Sequence, residues 1–286
     1  MSSNETITSA IHPGLWLVAT PIGNLEDLSP RGAAVLRASS MICCEDTRHS
    51  GSLLKRIGAS PERLVVTNEH TEHDAIETVL TALASGATVS VITDAGTPAI
   101  SDPGERLVQA AIAAGHTVYS TPGPVAFVMA AAMSGLPTAR IAFDGFLPRS
   151  GAERRERLTE VARERRTTVL YEAPHRLERT LSDLAEMCGG DRPVVLAREM
   201  TKLHEDMWRG TMAEAVKHAQ TVEPRGEYAI VIGPAVFESI DITDDEIVNE
   251  LSKRLASGFT KRDAIDEVTA ALGLPRKRVY TLATQK

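Results

Sequence analysis

Short apolar, β-branched runs recur along this chain, and each is followed by a stretch whose apolar positions have helical spacing. The runs at 15–19, 41–44, 64–67, 88–92 and 117–120 read as strands, and the stretches 30–38, 47–57, 72–85 and 103–114 read as helices. This alternation predicts a mostly parallel sheet with helices on both faces. An Ala-rich helical segment covers 124–133, and Gly135-Leu136-Pro137-Thr138 breaks it. A second α/β set follows, with strands at 141–143, 167–171, 194–198, 206–209 and 228–232 and helices at 152–165, 175–187 and 212–219. Few helices separate the last three strands, so part of that sheet is expected to be antiparallel.

After Pro234 the pattern changes. Residues 240–257 read as an acidic-then-basic helix, and Thr260, with Asp263 three residues on, reads as the N-cap of another. Gly273-Leu274-Pro275 is a tight turn, and Arg276-Lys277-Arg278-Val279-Tyr280 opens a short last helix. Two helices joined by a Gly-containing turn, with cations on the second, have the layout of a helix-turn-helix; a helical cap on the preceding domain fits the same pattern. The expected organisation is a loose tail at 1–12, one α/β domain at 13–123, a second at 124–236 and a helix-turn-helix-like domain at 237–286.

Composition narrows the class. With 286 residues, 43% of them hydrophobic and only 4% aromatic, the chain can build about two domains whose cores are mostly Ala, Val, Ile and Leu. No apolar run approaches the ~20 residues of a membrane span, and the polar start lacks the pattern of a signal peptide. Cys43 and Cys44 are adjacent in a strand and point to opposite faces, and Cys188 is remote, so no disulfide framework is expected and a reducing cytoplasm is the simple inference. The net charge of −7 gives no global attraction to nucleic acid, but cations are concentrated locally: seven Arg against four Glu over 149–166, and eight Lys and Arg against three Asp and Glu over 253–286.

The chemistry concentrates after the strands. The loop Thr93-Asp94-Ala95-Gly96-Thr97-Pro98-Ala99-Ile100-Ser101-Asp102-Pro103-Gly104 packs two Gly, two Pro and two Asp into twelve residues between a strand and a helix. That is the edge where open α/β sheets bind ligands. No G-x-x-x-x-G-K-[ST] or G-x-G-x-x-G occurs, so a small ligand held by backbone groups fits better than a nucleoside triphosphate or dinucleotide. The same edge gathers Asn24, Asp46, Arg48, Glu69, His70, Asp94, Glu172, Arg176, Lys202 and His204. His70 and His73 are three apart, but too little of a ligand set accompanies them and no metal is expected. No G-x-S-x-G elbow points to a serine hydrolase.

Taken together, T-P-I-G-N-L-E-D, E-D-T-R, D-A-G-T-P-A-I-S-D-P-G, P-G-P, F-x-G-F-L-P, Y-E-A-P-H-R and A-R-E-M-T-K-L-H-E resemble the tetrapyrrole-methylase-like (class III) S-adenosylmethionine methyltransferases, and within them the ribosomal RNA small subunit methyltransferase I family. The resemblance implies two α/β domains with the cofactor S-adenosylmethionine in the cleft between them, a homodimer, and 2′-O-methylation of a cytidine ribose in the decoding centre of 16S rRNA. It places Pro21, Asp94, Ala95, Gly96, Thr97, Ile100, Val125, Ala126 and Tyr171 at the cofactor. Thr97 stands where tetrapyrrole enzymes have Asp, and Thr20-Pro21-Ile22-Gly23-Asn24 replaces their Gly-rich first loop. A ribose hydroxyl needs help losing its proton: Asp46 or Glu45 could serve, oriented by Arg48, or Lys202 if its pKa were lowered. Arg48 and Arg176 could instead grip phosphate, and Arg276, Lys277 and Arg278 are the expected RNA contacts of the tail. Methylation of a tetrapyrrole and a non-catalytic RNA-binding module remain as alternatives.

Overall fold

The structure, a computed structural model, describes residues 11–68, 71–236 and 242–284. Glu69 and His70 of the sequence-derived cluster lie outside the described residues, as do most of the expected tail and the first residues of the helix expected from 240. The chain divides after Ala235 into two compact units.

The first unit holds two five-stranded sheets. Strands β1 (Gly14–Val18), β2 (Met41–Cys44), β3 (Arg63–Val66), β4 (Thr88–Val91) and β5 (Val118–Thr121) form the first, in the order β3-β2-β4-β1-β5 with every pairing parallel. Helices α1 (Pro30–Ala38) and α2 (Thr47–Ile57) cover one face, and α3 (Glu72–Ala84) and α4 (Glu105–Ala113) the other. The two-residue period of a strand sorts its side chains between these layers. Leu15 packs under α3 and α4 while Trp16 and Val18 pack under α1 and α2; Cys43 and Cys44 divide in the same way.

The second sheet comprises β6 (Ile141–Phe146), β7 (Thr167–Glu172), β8 (Pro193–Arg198), β9 (Asp206–Thr211) and β10 (Tyr228–Ile232), ordered β6-β7-β10-β8-β9. Only β6–β7 is parallel; the other three pairings are antiparallel, as the scarcity of helices predicted. Helices α6 (Gly151–Arg163), α7 (Pro174–Cys188) and α8 (Met212–Thr221) bury one face. The Ala-rich α5 (Ala126–Ser134) lies on the other, where Ala130 and Ala131 let it sit close to Val169, Val195, Ala229 and Val231. Arg192, 7% exposed, donates to the carbonyls of Ala162, Glu164 and Gly233, tying α6 to the end of β10.

Some boundaries move for local reasons. The helix expected from 103 starts at Glu105 because Asp102 to Gly104 belong to the preceding loop, and the one expected from 124 starts at Ala126 because Val125 is extended. The strand expected to end at Phe143 continues to Phe146 through a register shift at Gly145. Gly145 has φ +59, and a Cβ there would stand 2.7 Å from the Ser101 hydroxyl, so glycine is what lets β6 meet the Asp102 loop.

In the second unit, α9 (Asp244–Ala256), α10 (Lys261–Leu272) and α11 (Arg276–Thr284) enclose Ile247, Leu251, Ile265, Val268 and Val279. Thr243 and Glu246 form a capping box at α9. Thr260 caps α10 as expected, and Gly273 closes it in the left-handed conformation. No described helix is long and apolar enough to cross a membrane.

One buried carboxylate links the helical layer to the loop of interest. Glu72, 5% exposed, opens α3, yet its Oε1 accepts from the backbone N–H of Gly104 (3.0 Å) and of Leu107 (3.1 Å). It therefore caps α4, whose own N-cap Gly104 has no side chain to do so. Replacing Glu72 by Ala should leave two buried donors unpaired and cost about 2–4 kcal/mol. Glu72→Gln, which keeps an acceptor, should cost about 1 kcal/mol. Urea unfolding curves check both values, and equal midpoints for wild type and Ala would remove the capping role.

Candidate active site

Residues at or after the ends of β1, β2, β4, β5, β6, β7 and β8 converge on a cavity of about 470 Å³ between the two sheets, within the roughly 300–1,000 Å³ usual for small-molecule sites. The Asp94 loop forms one wall. Thr20 and Gly96 exchange backbone hydrogen bonds of 2.8 and 3.1 Å, the Thr20 hydroxyl donates to the Thr93 carbonyl, and the Thr97 hydroxyl donates to the Pro124 carbonyl. Gly96 takes φ +92, which an L side chain rarely adopts. Its Cβ would meet only ordinary contacts with Ile22 and Pro124, so backbone conformation rather than crowding demands glycine there.

Asp94, Ala95, Gly96, Thr97, Ile100, Val125, Ala126 and Tyr171, named from the sequence for the cofactor, all line this cavity, and so do Glu45 and Lys202. Pro21 is not in its wall; the neighbouring Ile22 is. Tyr171 braces the site. Its hydroxyl accepts the Phe127 N–H at 2.9 Å, capping α5 from β7, and its ring stands edge-on to Phe143 and Phe146. Burial pushes that phenol up to about 12.

Carboxylates give the cavity its character. Asp102 is pushed up to about 7, first by burial and then by the nearby charges of Glu45 and Asp94. The Asp94 Oδ1 is buried with no hydrogen-bond partner among the described residues. A wall of this kind suits a cation that brings its own donors. Asp102 and Asp94 share the loop singled out from the sequence, but Glu45 comes from the end of another strand, β2, which linear spacing does not reveal. Phe146, Glu199, Met200, Glu227 and Ala229 also line the cavity. Glu227 immediately precedes β10 and Ala229 lies in it, a segment that reads in sequence as an ordinary strand.

The A-R-E-M-T-K loop forms the opposite wall. Lys202 Nζ donates to Glu199 Oε1 and Glu227 Oε2, each at 2.8 Å. Burial alone would lower its pKa, but the hydrogen bonds to Glu199 and Glu227 outweigh that and the net shift is upward. The lowered pKa that a base would need is therefore not what these surroundings produce. Thr201 accepts from the Asn24 N–H at 3.1 Å, joining this loop to the first one. Glu199 (φ 48) and Thr201 (φ 66), with Ala99 (φ 68) and Ser101 (φ 59), are the only non-glycine residues of positive φ among the described residues. All four belong to the two loops that wall the cavity.

Asp46 and Arg48 stand outside that wall. Asp46 caps α2 through the Arg48 N–H and pairs with the exposed Arg48 guanidinium at 3.0 Å, whose hydrogen bond holds the carboxyl below its usual range. Arg176 is turned inward: it lies 3.2 Å from Glu172 and donates to the Leu147 carbonyl. Glu172, fully buried, also accepts from Thr180, which in turn accepts from the buried Arg154. In the second unit, Arg276 pairs with Asp266 and Arg278 with Asp244, both at 2.7 Å, while Lys277 is exposed with no ion pair among the described residues.

Comparison with known proteins places these features. A family described as Tetrapyrrole (Corrin/Porphyrin) Methylases matches residues 14–216. A ribosomal RNA small subunit methyltransferase I from Synechocystis sp. is 39% identical over 272 residues, 95% of this chain and 97% of that protein. Its counterpart from Xylella fastidiosa is 43% identical over 272 residues, 94% of this chain and 98% of that protein. The solved structure of a cobalt precorrin-4 methyltransferase of cobalamin biosynthesis shares the fold at a TM-score of 0.58 and 19% identity, covering 77% of this chain and 94% of its own. The chain belongs to the ribosomal RNA small subunit methyltransferase I family of the tetrapyrrole methylase fold.

Proposed function

We propose that this enzyme methylates the 2′-hydroxyl of a cytidine ribose in the decoding centre of 16S rRNA, with S-adenosylmethionine held in the cavity between the two sheets. The observation that carries the reading is the cavity's charge: Glu45, Asp94 and Asp102 converge where the cofactor's ammonium and sulfonium require anions. When bound, S-adenosylmethionine supplies an electrophilic methyl group on sulfur. The protein's task is to place an oxygen in line, exclude water and receive a proton.

Asp102 and the unpaired Asp94 oxygen hold the cofactor's cationic end, and the backbone of Ala95 to Thr97 with Val125 and Ala126 shapes its pocket. Glu45 is the base. It alone of the expected carboxylates lines the cavity, whereas Asp46 with Arg48 fixes the start of α2 directly after it. Lys202 holds Glu199 and Glu227 in place. On the RNA side, Lys277 is the cation of α11 with no ion pair among the described residues, and Arg276 and Arg278 maintain the helical unit. The enzyme works in the cytoplasm on the small subunit as a homodimer; half-exposed Leu64 and Val66 on the edge strand β3 support a second copy covering that surface.

Labelled S-adenosylmethionine offered with small subunits, naked 16S rRNA and a corrinoid precursor tests the reading. Label is expected in the ribosomal RNA, and transfer to the corrinoid alone would overturn it. At saturating cofactor, Glu45→Gln should lower kcat by about 10²–10⁴, a loss that higher cofactor concentration does not restore; a wild-type kcat would move the base elsewhere.

Cofactor affinity should depend on pH. Asp102 titrates near 7 in the free protein, and the cationic cofactor binds its ionised form, so affinity should rise from pH 6 to pH 8 and then level off. In Asp102→Asn the overall affinity should fall and this rise should vanish. Calorimetric titration across that range reads both effects. In the second unit, Lys277→Ser should reduce the salt slope of subunit binding by about one with no loss of thermal stability. Arg276→Ser and Arg278→Ser should lower the melting temperature of that unit, since each breaks an ion pair; filter binding and thermal melts separate the two classes.

A further inference from the structure

A second, more open cavity of about 1050 Å³ adjoins the first and shares Glu45, Ser101, Asp102 and Phe146 with it. Methyl transfer requires the acceptor oxygen to meet the cofactor at a common boundary, and these four residues are that boundary. The remaining wall carries two cations with no part in the cofactor pocket, and the shared boundary carries an exposed ring. Arg106, on the first turn of α4, is exposed and has no hydrogen bond or ion pair among the described residues. Arg157, on α6, points a half-exposed guanidinium at Asp144 and Glu160. Phe146 is 53% exposed although it stands at the junction, with its ring edge-on to Tyr171.

We infer that this second cavity is the acceptor site for one nucleotide of single-stranded RNA, with the base on Phe146 and the flanking phosphates at Arg106 and Arg157. The assignment rests on the reading of the enzyme as an rRNA ribose methyltransferase. The charge distribution favours it. Glu72, Glu105 and Asp144 join Glu45 and Asp102 in this cavity, so its floor repels phosphate. A neutral ribose and base can enter where a phosphate cannot, and the backbone is left at the rim, where the guanidinium groups are. An exposed aromatic face at the entrance is the common support for a base taken out of its stack.

The test measures methyl transfer from labelled S-adenosylmethionine to small ribosomal subunits that lack the modification, at saturating cofactor and varied subunit concentration. Arg106→Gln should raise KM for subunits about three- to tenfold with kcat within about twofold, and Phe146→Ala, whose ring also borders the cofactor cavity, should raise KM by a similar factor. Arg106→Glu should raise it further and lower the salt slope of subunit binding by about one. Phe146→Leu, which keeps apolar bulk but removes the ring face, should behave as Phe146→Ala does. Cofactor affinity of Arg106→Gln, measured by calorimetry, should stay at the wild-type value. Wild-type KM in the Arg106 and Phe146 variants would overturn the acceptor assignment. So would rescue by Phe146→Leu, or a loss of cofactor affinity in Arg106→Gln that matches its rise in KM. A wild-type enzyme that transfers no label to subunits would instead overturn the functional reading itself, and the acceptor assignment with it.

Discussion

The two loops that wall the cofactor cavity are held in a backbone conformation that their residues resist. Ala99, Ser101, Glu199 and Thr201 all have positive φ, and each such residue costs on the order of 1–3 kcal/mol. Strain of this size persists only where neighbouring groups leave the loop no relaxed alternative. The Asp94 loop is pinned at one end by the Thr20–Gly96 pairing and at the other by Glu72 beneath Gly104 and Leu107. The Glu199 loop is pinned by Lys202 between two carboxylates and by Thr201 against Asn24. The cavity is thus shaped before any ligand arrives, and the cost of ordering it falls on folding rather than on binding.

Charge is arranged with the same economy. The chain is acidic as a whole, and five carboxylates line the second cavity, two of them, Glu45 and Asp102, at its junction with the first. Cations that look available in the sequence are largely engaged: Arg48 with Asp46, Arg154 with Asp183, Arg176 with Glu172, Arg276 with Asp266 and Arg278 with Asp244. Arg106 and Lys277, unengaged among the described residues, are the most available to phosphate, whereas Arg157 must share its guanidinium with Asp144 and Glu160. Arg106 and Lys277 therefore matter more than local counts of Arg and Lys suggest.

How much of this was legible in the sequence follows from the range of each interaction. Strands and helices were readable because their hydrophobic periods are local, and the mixed second sheet was readable from the missing crossover helices. The motif-bearing strand ends marked most of the cavity wall, from Asp94 to Thr97 and from Val125 to Tyr171. Boundaries shifted where a distant group intervened: Glu72 caps α4 from another helix, and Ser101 demands a glycine in β6. The titration of Asp102 was hidden because its burial, and its approach to Glu45 57 residues away, arise only in the fold. The engagement of Arg276 and Arg278 was hidden for the same reason, since their partners lie on α10 and at the start of α9.

The adjacent cysteines of β2 offer a use unrelated to catalysis. Both are fully buried, and burial pushes the Cys43 thiol up to about 12, so neither is reactive in the closed fold. Cys43 faces the layer of α3 and α4, and Cys44 the layer of α1 and α2. A thiol reagent can reach either sulfur only after the helices above it have lifted. The pair is in effect a built-in gauge with one sensor on each side of a single strand, and the order in which the two are alkylated would reveal which helical layer opens first.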